Sequence, residues 1–248
     1  MNLKNIILNK LRKGFTKLIP PHATFDQNRN DRAGALYKAW GHIISNNIKG
    51  SYYEFGVYRG DSLYESLRIY NDYREWISGQ KHSSEEWRRK INYYSEHKFY
   101  AFDTFEGMPE NDEGHHAFQK GTFMGEIDLV KSKIETINKY GTIEYVKGEY
   151  GNVKKTEKDR IKEFDKVAIA NIDCDLCIST IDALEIIKGK LQQGCILMMD
   201  DWYQFEADNK KGQRKATKEF LIKNKNISLE DYIIYGHIGK AFIVHLNK

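Results

Sequence analysis

The sequence predicts an α/β protein built on a mostly parallel, doubly wound sheet of seven strands. Five short apolar segments alternate with helical segments along the 248 residues, which is the pattern of a parallel sheet. The chain then closes on "DYIIYGHIGKAFIVHL", two apolar segments joined by a glycine-containing turn, which predicts an antiparallel β-hairpin. Acidic and glycine residues directly follow several of the predicted strands, where doubly wound sheets bind their ligands.

The five parallel strands are predicted from short runs of mostly apolar and aromatic residues. The first lies in "SYYEFG" and ends at Glu54, and the others span 98–103, 142–148, 166–173 and 194–201. The segments between them and around them predict helices at 32–46, 61–72, 126–140, 153–164, 179–191 and 211–225. Together with the closing hairpin, these elements predict a Rossmann-like fold with additional N-terminal helices.

Two segments do not belong to this alternation. Residues 3–18 place apolar side chains on one helical face, and Pro20-Pro21 end that helix, so 1–23 predicts a basic amphipathic helix or cap. Docking on the same protein or on a sister subunit explains such a face more simply than a membrane surface does, and we expect a homodimer. Residues 73–97 are highly charged and predict a helical insertion.

Composition narrows the class of protein. The length suits a single domain spanning 1–248, and no apolar stretch approaches the ~20 residues of a transmembrane helix. The whole chain carries +4 and its first 25 residues carry +5, so the remainder carries −1. This near-neutral body argues against a nucleic-acid partner. Three cysteines do not form a disulfide framework, and we expect a cytoplasmic protein.

The segment "EFGVYRGDS" (54–62) follows the first predicted strand. Gly56 and Gly60 let the backbone turn sharply and approach a ligand, and the N-terminus of the next helix offers free N–H groups. The spacing G-x-x-x-G lacks the middle glycine of the dinucleotide-binding G-x-G-x-x-G motif. A pyrophosphate-binding site is therefore disfavoured.

Asp103 ends the second predicted strand, "FYAFD". A carboxylate at this place can accept both ribose hydroxyls of a nucleoside ligand, and the alternative is an aspartate that caps a helix or a turn. The insertion at 73–97 explains why Asp103 lies farther from the glycines than the usual ~20 residues.

Four carboxylates follow the last two parallel strands. Asp173 and Asp175 come after the fourth strand, and Asp200 and Asp201 come after the fifth. Adjacent parallel strands would bring Asp173 close to Asp200 and Asp201. Three converging carboxylates suit a hard divalent cation such as Mg²⁺, which would offset their mutual repulsion. For any one of them, a helix cap or a lysine partner is the alternative.

The loop "ENDEGHHAFQKGTF" (110–123) contains aromatic and glycine residues and predicts a lid over the site. Its His115 and His116 are candidates for a base or a further metal ligand. Solvated histidines are the more common outcome in a polar loop.

These segments resemble the macrocin O-methyltransferase (TylF/MycF-like) family of class I methyltransferases, which use S-adenosylmethionine (SAM). The matching stretches are "YEFGVYRGDSL", "YAFDTFEGMPE", "IANIDCDLCISTIDALE", "GCILMMDDW" and "GQRKATKEF". The resemblance implies methyl transfer to a hydroxyl of a sugar or polyol, which could carry a phosphate or a nucleotide. It also implies a Mg²⁺ site at Asp173, Asp200 and Asp201. The expected SAM-binding residues are Glu54, Gly56, Tyr58, Gly60, Ser62, Asp103, Thr104, Phe105, Gly148 and Glu149.

A methyltransferase of this kind must make a hydroxyl nucleophilic, and Asp173 is the expected general base because it could touch both metal and acceptor. The family commonly has D-G-D-x-Y-x-S-T where this chain has "DCDLCIST" (173–180), so the acceptor is not identified by the resemblance. Two other classes stay open, an NAD-dependent oxidoreductase on the same sheet and a non-catalytic scaffold.

Overall fold

The computed structural model describes residues 29–79 and 97–247. Its strands are β1 (Ser51–Phe55), β2 (Lys98–Asp103), β3 (Thr142–Lys147), β4 (Val167–Ile172), β5 (Ile196–Met199), β6 (Ile227–Tyr235) and β7 (Gly239–Leu246). Its α-helices are α1 (Arg32–Ser45), α2 (Asp61–Gly79), α3 (Ile127–Glu135), α4 (Tyr150–Thr156), α5 (Lys158–Lys162), α6 (Cys177–Ile187) and α7 (Gly212–Lys223). Two short 3₁₀ turns, Lys188–Lys190 and Phe205–Ala207, complete the regular structure of these ranges.

The strands form one sheet in the order β3-β2-β1-β4-β5-β7-β6. The first five are parallel, β7 pairs antiparallel with β5, and β6 pairs antiparallel with β7. The predicted mostly parallel sheet with a closing hairpin is therefore confirmed. The strand order reverses between β1 and β4, which is where open α/β sheets leave a crevice for ligands.

The register brings the carboxyl ends of four strands to one edge. Phe55 at the end of β1 pairs with Phe102 on β2 and with Ile172 on β4. Ile172 in turn pairs with Met199 at the end of β5. The residues that follow these positions are the ones that carry the predicted motifs, so the sheet collects them along a single edge.

Both faces of the sheet are covered by helices, and β1, β2, β4 and β5 are buried almost throughout, whereas the edge strand β3 is mostly half-buried or exposed. Tyr52 and Tyr53 are neighbours on β1 and point to opposite faces, as successive strand residues do. Tyr52 packs into a cluster with Trp40 of α1, and Tyr53 packs into a second cluster with Tyr100. Trp40 is fully buried and donates a hydrogen bond to Ser66 Oγ at 2.9 Å, which ties α1 to α2 beneath the site.

Three helices differ from the prediction. α2 continues from 72 to Gly79, because Tyr73 and Ile77 are buried at helical spacing in the core shared with α1. The first residues of the predicted insertion are thus part of α2, and 80–96 lie outside the described residues. The predicted helix at 153–164 is two short helices, α4 and α5, and α3 ends at Glu135. The predicted cap of 1–23 also lies outside the described residues, and its role stays a prediction.

Candidate active site

A cavity of about 970 Å³ opens along the carboxyl ends of β1, β2, β4 and β5. Its walls include all three predicted metal ligands, Asp173, Asp200 and Asp201. They also include six of the predicted cofactor-binding residues, which are Gly56, Tyr58, Ser62, Asp103, Thr104 and Glu149. One cavity therefore contains residues of both the predicted metal site and the predicted cofactor site.

Gly56 makes the junction between β1 and β4 possible. Its φ is +90°, and a Cβ built on it would lie 1.7 Å from the main-chain oxygen of Asp173. The Asp173 N–H donates to Phe55 O at 2.8 Å, which holds the two strand ends at this distance. A side chain at position 56 would push Asp173 away, so this glycine is required by a close approach of two backbones.

Asp103 shapes the part of the cavity beside β1 and β2 through backbone contacts. One carboxylate oxygen accepts from the N–H groups of Val57 and Tyr58 at 2.7 Å each, and the other accepts from Phe105 N–H at 2.7 Å. A carboxylate offers about four acceptor positions, so roughly one is left for a ligand. Asp103 lines the cavity. With one acceptor position left, its carboxylate cannot accept hydrogen bonds from two ribose hydroxyls at once.

Glu54 is fully buried and does not line the cavity. Its carboxylate accepts hydrogen bonds from Tyr52 Oη at 2.5 Å and from Ser62 Oγ at 2.9 Å. Burial raises the pKa of Glu54 to about 7, although both hydrogen bonds act in the opposite direction. Glu54 is thus one contact away from the cavity, behind Ser62, which does line it.

Three further predicted cofactor residues also do not line the cavity. Gly60 and Gly148 have φ values of +72° and +142° and serve the turns after β1 and β3, and Phe105 is buried with a φ of +55°. Their contact with the cofactor, which the family resemblance implies, stays a prediction.

The acidic cluster, Asp173, Asp200 and Asp201, is assembled as the strand order predicts. One carboxylate oxygen from each residue lies within 4.8 Å of the others. Gln213 at the start of α7 fixes the turn after β5, since its Oε1 accepts from Asp201 N–H at 3.0 Å and its Nε2 donates to Ile172 O at 2.8 Å. Gln213 belongs to the "GQRKA" stretch, but the sequence did not show this contact.

Arg32, the first residue of α1, is the principal residue that sequence reasoning missed. Its Nη1 lies 2.9 Å from Asp173 Oδ2, its Nε lies 2.9 Å from Asp200 Oδ1, and its Nη2 contacts Asp200 Oδ2. This guanidinium partly compensates the adjacent carboxylates. Because Arg32 and Asp200 are 168 positions apart, no local spacing signals the pair.

One guanidinium is not enough for this concentration of negative charge. Burial raises the pKa of Asp173 well above its usual range, with Asp200 adding to the effect and Arg32 opposing it. Burial also raises the pKa of Asp201, and it raises that of Asp175 to about 7. Four carboxylates carry more negative charge than one arginine can compensate, and a divalent cation would compensate the remainder. Carboxylate oxygens are also the ligands that Mg²⁺ prefers. The residues present therefore fit a magnesium ion.

Comparison with known proteins identifies the family. Residues 90–230, more than half of the chain, match the model of the macrocin-O-methyltransferase (TylF) family. The chain belongs to this family. It is accordingly a SAM-dependent O-methyltransferase, as predicted. No curated protein sequence matches the chain.

Two solved structures share the fold of this family member. The O-methyltransferase NovP superimposes with a TM-score of 0.61 at 15% identity, covering 96% of this chain and 94% of NovP. CalS11, a calicheamicin methyltransferase, superimposes with a TM-score of 0.61 at 14% identity, covering 98% of this chain and 93% of CalS11. At these identities the similarity establishes the fold.

Residues 104–125 of this methyltransferase, called the lid loop because they contain the predicted lid (110–123), line one side of the cavity. Met108 N–H donates to Thr122 O at 2.8 Å, and Gly121 N–H donates back to Met108 O at 2.9 Å, so the loop closes on itself. Glu113 attaches it to the body, because its carboxylate accepts from the N–H of Cys177 and from that of Gly212, the latter at 2.8 Å. These residues begin α6 and α7, so one lid carboxylate satisfies two helix N-termini.

The two lid histidines do not line the main cavity. The His115 ring stacks on Phe118 with ring centroids 4.4 Å apart and meets Phe205 edge-on at 5.4 Å. It also stacks on His116 at 4.7 Å. His115 thus packs the lid against the segment after β5, which is a structural role.

Among the described helices, none is both long and apolar enough to cross a membrane.

Proposed function

We propose that this enzyme methylates a hydroxyl of a sugar or polyol-type small molecule in natural-product or surface-polysaccharide biosynthesis, with the help of Mg²⁺. The observation that carries the proposal is the acidic cluster, which faces the same cavity as the glycine turn after β1. Chelating carboxylates beside a cofactor cradle suit an acceptor with neighbouring hydroxyls. In support, a second structure of CalS11, with a TM-score of 0.54, describes that protein as a TDP-rhamnose 3'-O-methyltransferase.

SAM would supply an already activated methyl group on a positively charged sulfonium. In this proposal the turn 56–58, with Asp103 beneath it, holds the nucleoside part of the cofactor, and Ser62, Thr104 and Glu149 complete its binding site. The backbone contacts of Asp103 make this turn rigid before any ligand arrives, which lowers the entropy cost of binding.

Mg²⁺ bound by the acidic cluster would supply a Lewis acid that lowers the pKa of an acceptor hydroxyl. Asp173 is the proposed general base. Arg32 holds the Oδ2 atom of Asp173. No hydrogen bond from a described residue reaches its Oδ1 atom. The acceptor oxygen forms a bond to the methyl carbon as the sulfur–carbon bond breaks, and the carboxylate takes the hydroxyl proton.

Asp175 is the second candidate for the base. It lines the cavity, its φ is +54°, and its pKa is raised to about 7 by burial and by Asp173. A carboxylate with a pKa near neutrality is well matched to accept a proton at physiological pH. Its side chain is not held by Arg32 but interacts with the Asp201 side chain, which it would have to leave to reach an acceptor.

Thermal-shift titration with S-adenosylhomocysteine (SAH) and, separately, with NAD tests the cofactor, each in Mg²⁺ or in EDTA. A ligand at 100 times its Kd should stabilise the protein by about 2.7 kcal/mol. We expect a shift with SAH, and an additional shift with Mg²⁺. A shift with NAD alone would support the oxidoreductase, and no shift with either ligand would support the scaffold.

The acceptor class is tested by incubating the enzyme with labelled SAM and a panel of free, phosphorylated and nucleotide-linked sugars, and detecting methylated products by mass spectrometry.

We also propose that the enzyme is a cytoplasmic homodimer joined through residues 1–23. Light scattering of the full chain and of a variant with charged residues on the apolar face of this segment tests the dimer, because a monomer in both cases contradicts it.

A further inference from the structure

Arg32 occupies a large share of the oxygens that a divalent cation would use. Its guanidinium contacts both carboxylate oxygens of Asp200 and one oxygen of Asp173. Asp201 contributes one oxygen to a hydrogen bond from Asp175 N–H at 3.2 Å. Asp201 also interacts with the Asp175 side chain, so Asp173 Oδ1 is the oxygen of the cluster that is left without a described hydrogen-bond partner.

A cation and a guanidinium do not share these oxygens easily. Mg²⁺ binds oxygens at ~2.0–2.1 Å and demands near-octahedral geometry, so it needs a lone pair directed at the metal. One lone pair on each Asp200 oxygen is directed at Arg32, and two positive groups on one carboxylate repel each other. A cation that takes one oxygen from each residue of the acidic cluster has to displace Arg32 from Asp200 or bind beside it at a lower affinity.

We propose that Arg32 is an internal counter-ion of the acidic cluster, which competes with the divalent cation for Asp200 and leaves this carboxylate when the cation binds. This inference rests on the proposed magnesium site. It assigns Arg32 a second state, in which the guanidinium has moved into the cavity that it already lines.

The surroundings of Arg32 fix its backbone while leaving its side chain room to move. Asp31 caps α1 by accepting from Gly34 N–H at 2.9 Å, and Asn30 O accepts from Gly236 N–H at 2.6 Å in the turn between β6 and β7. The Arg32 side chain is 35% exposed, whereas that of Asp200 is 13% exposed. The carboxylate is thus the fixed partner, and the guanidinium is the one that can leave.

Tyr235 provides an independent indication that the arrangement around Asp200 is not complete. Its side chain is 1% exposed, and its hydroxyl has no hydrogen-bond partner among the described residues. Burial raises the pKa of Tyr235, and the charges of Asp200 and Arg32 are close enough to act on it as well. A buried hydroxyl without a partner is costly, so a rearrangement of the charged groups that act on it would be favourable if it supplied a partner.

Mn²⁺ binding to the full chain, measured by electron paramagnetic resonance without SAM or acceptor, tests the competition. Arg32→Met removes the charge and keeps much of the side-chain length, and we expect it to tighten Mn²⁺ binding by about 10-fold or more. Arg32→Lys keeps the charge but loses the planar fork, so its Kd should lie between the two. Arg59→Met is the matched control, because Arg59 lines the same cavity but its guanidinium lies over the Tyr58 ring.

Unchanged or weaker Mn²⁺ binding in Arg32→Met, with wild-type binding measurable, would overturn the inference and leave the magnesium site intact. No Mn²⁺ binding in any variant, with SAH still stabilising the protein, would remove both the inference and the metal part of the proposed function.

A second measurement follows the wild-type chain itself and needs a variant only to assign one resonance. The Nε–H resonance of Arg32, assigned by its absence in Arg32→Lys, should shift and exchange faster with water as Mg²⁺ is added. A resonance that stays unchanged at Mg²⁺ concentrations that saturate the site would refute the displacement.

Discussion

Replacing Gly56 by alanine tests whether the contact between β1 and β4 determines both stability and cofactor binding. The new Cβ would lie 1.7 Å from Asp173 O, and ordinary contact begins at 3.4 Å, so the two backbones must separate by roughly 1.7 Å. A displacement of about 1 Å in an active site can cost ~10²-fold in rate. The shift would also stretch the hydrogen bond from Asp173 N–H to Phe55 O.

The stability cost has two parts that a matched variant separates. A non-glycine residue in the left-handed region costs ~1–2 kcal/mol, and overpacking adds ~1–3 kcal/mol. Gly114 has a φ of +74° and open space around its Cβ position, so Gly114→Ala carries only the first part. We therefore expect Gly56→Ala to lose about 2–5 kcal/mol and Gly114→Ala about 1–2 kcal/mol.

Urea unfolding of both variants measures the free energies, and calorimetric titration with SAH measures cofactor binding. We expect Gly56→Ala to lose SAH binding and Gly114→Ala to retain it. Equal stabilities of the two variants, together with normal SAH affinity in Gly56→Ala, would refute the argument that this close approach builds the site.

Three further predictions concern carboxylates of the site and its lid. Asp173→Asn should lower kcat by ~10²–10⁴-fold while SAH affinity by calorimetry stays within a few-fold, and a larger loss in Asp175→Asn would move the base to that residue. Because the pKa of buried Glu54 is raised from 4.5 to about 7, this group lowers stability as pH rises through that interval and has no further effect above it. Between pH 5 and pH 8 this loss amounts to about 2.5 kcal/mol, and Glu54→Gln should remove it, as measured by urea unfolding of both proteins at the two pH values. Glu113→Gln replaces one acceptor oxygen by an N–H donor, so we expect about 1 kcal/mol of destabilisation and faster amide exchange in the lid loop. The exposed Glu110→Gln in the same loop is its control, and equal exchange in both variants would contradict the role of Glu113 as a double cap.

Strand ends and their chemistry could be predicted because they depend on short-range patterns. The run "GCILMMDD" shows a buried strand ending in two acids, and "KVAIANID" shows the same for its neighbour. Once parallel pairing is accepted, the meeting of Asp173 with Asp200 and Asp201 follows from the order of the strands. The observed separation of their carboxylates agrees with that reasoning.

Contacts made by the same residues were less predictable. Asp103 has the position of a ribose ligand, yet three backbone N–H groups take most of its acceptor capacity. Glu54 is fully buried and accepts a hydrogen bond from Ser62, so its expected contact with the cofactor stays a prediction. The spacing of a motif specifies the residue types at a strand end, whereas the direction of each side chain depends on the turn that follows.

The sequence by itself determined the order of strands and helices, the glycine turn after β1 and the concentration of carboxylates at one edge of the sheet. Only the tertiary structure decided what compensates those carboxylates and what holds the lid loop. Arg32 contacts Asp200 across 168 positions, and Glu113 accepts from Cys177 N–H across 64 positions. Contacts of this kind produce no periodic pattern in the residues between the two partners. Local propensity acts over one helical turn or one strand, but electrostatic and hydrogen-bond energy depends on distance in space, which only the folded chain defines.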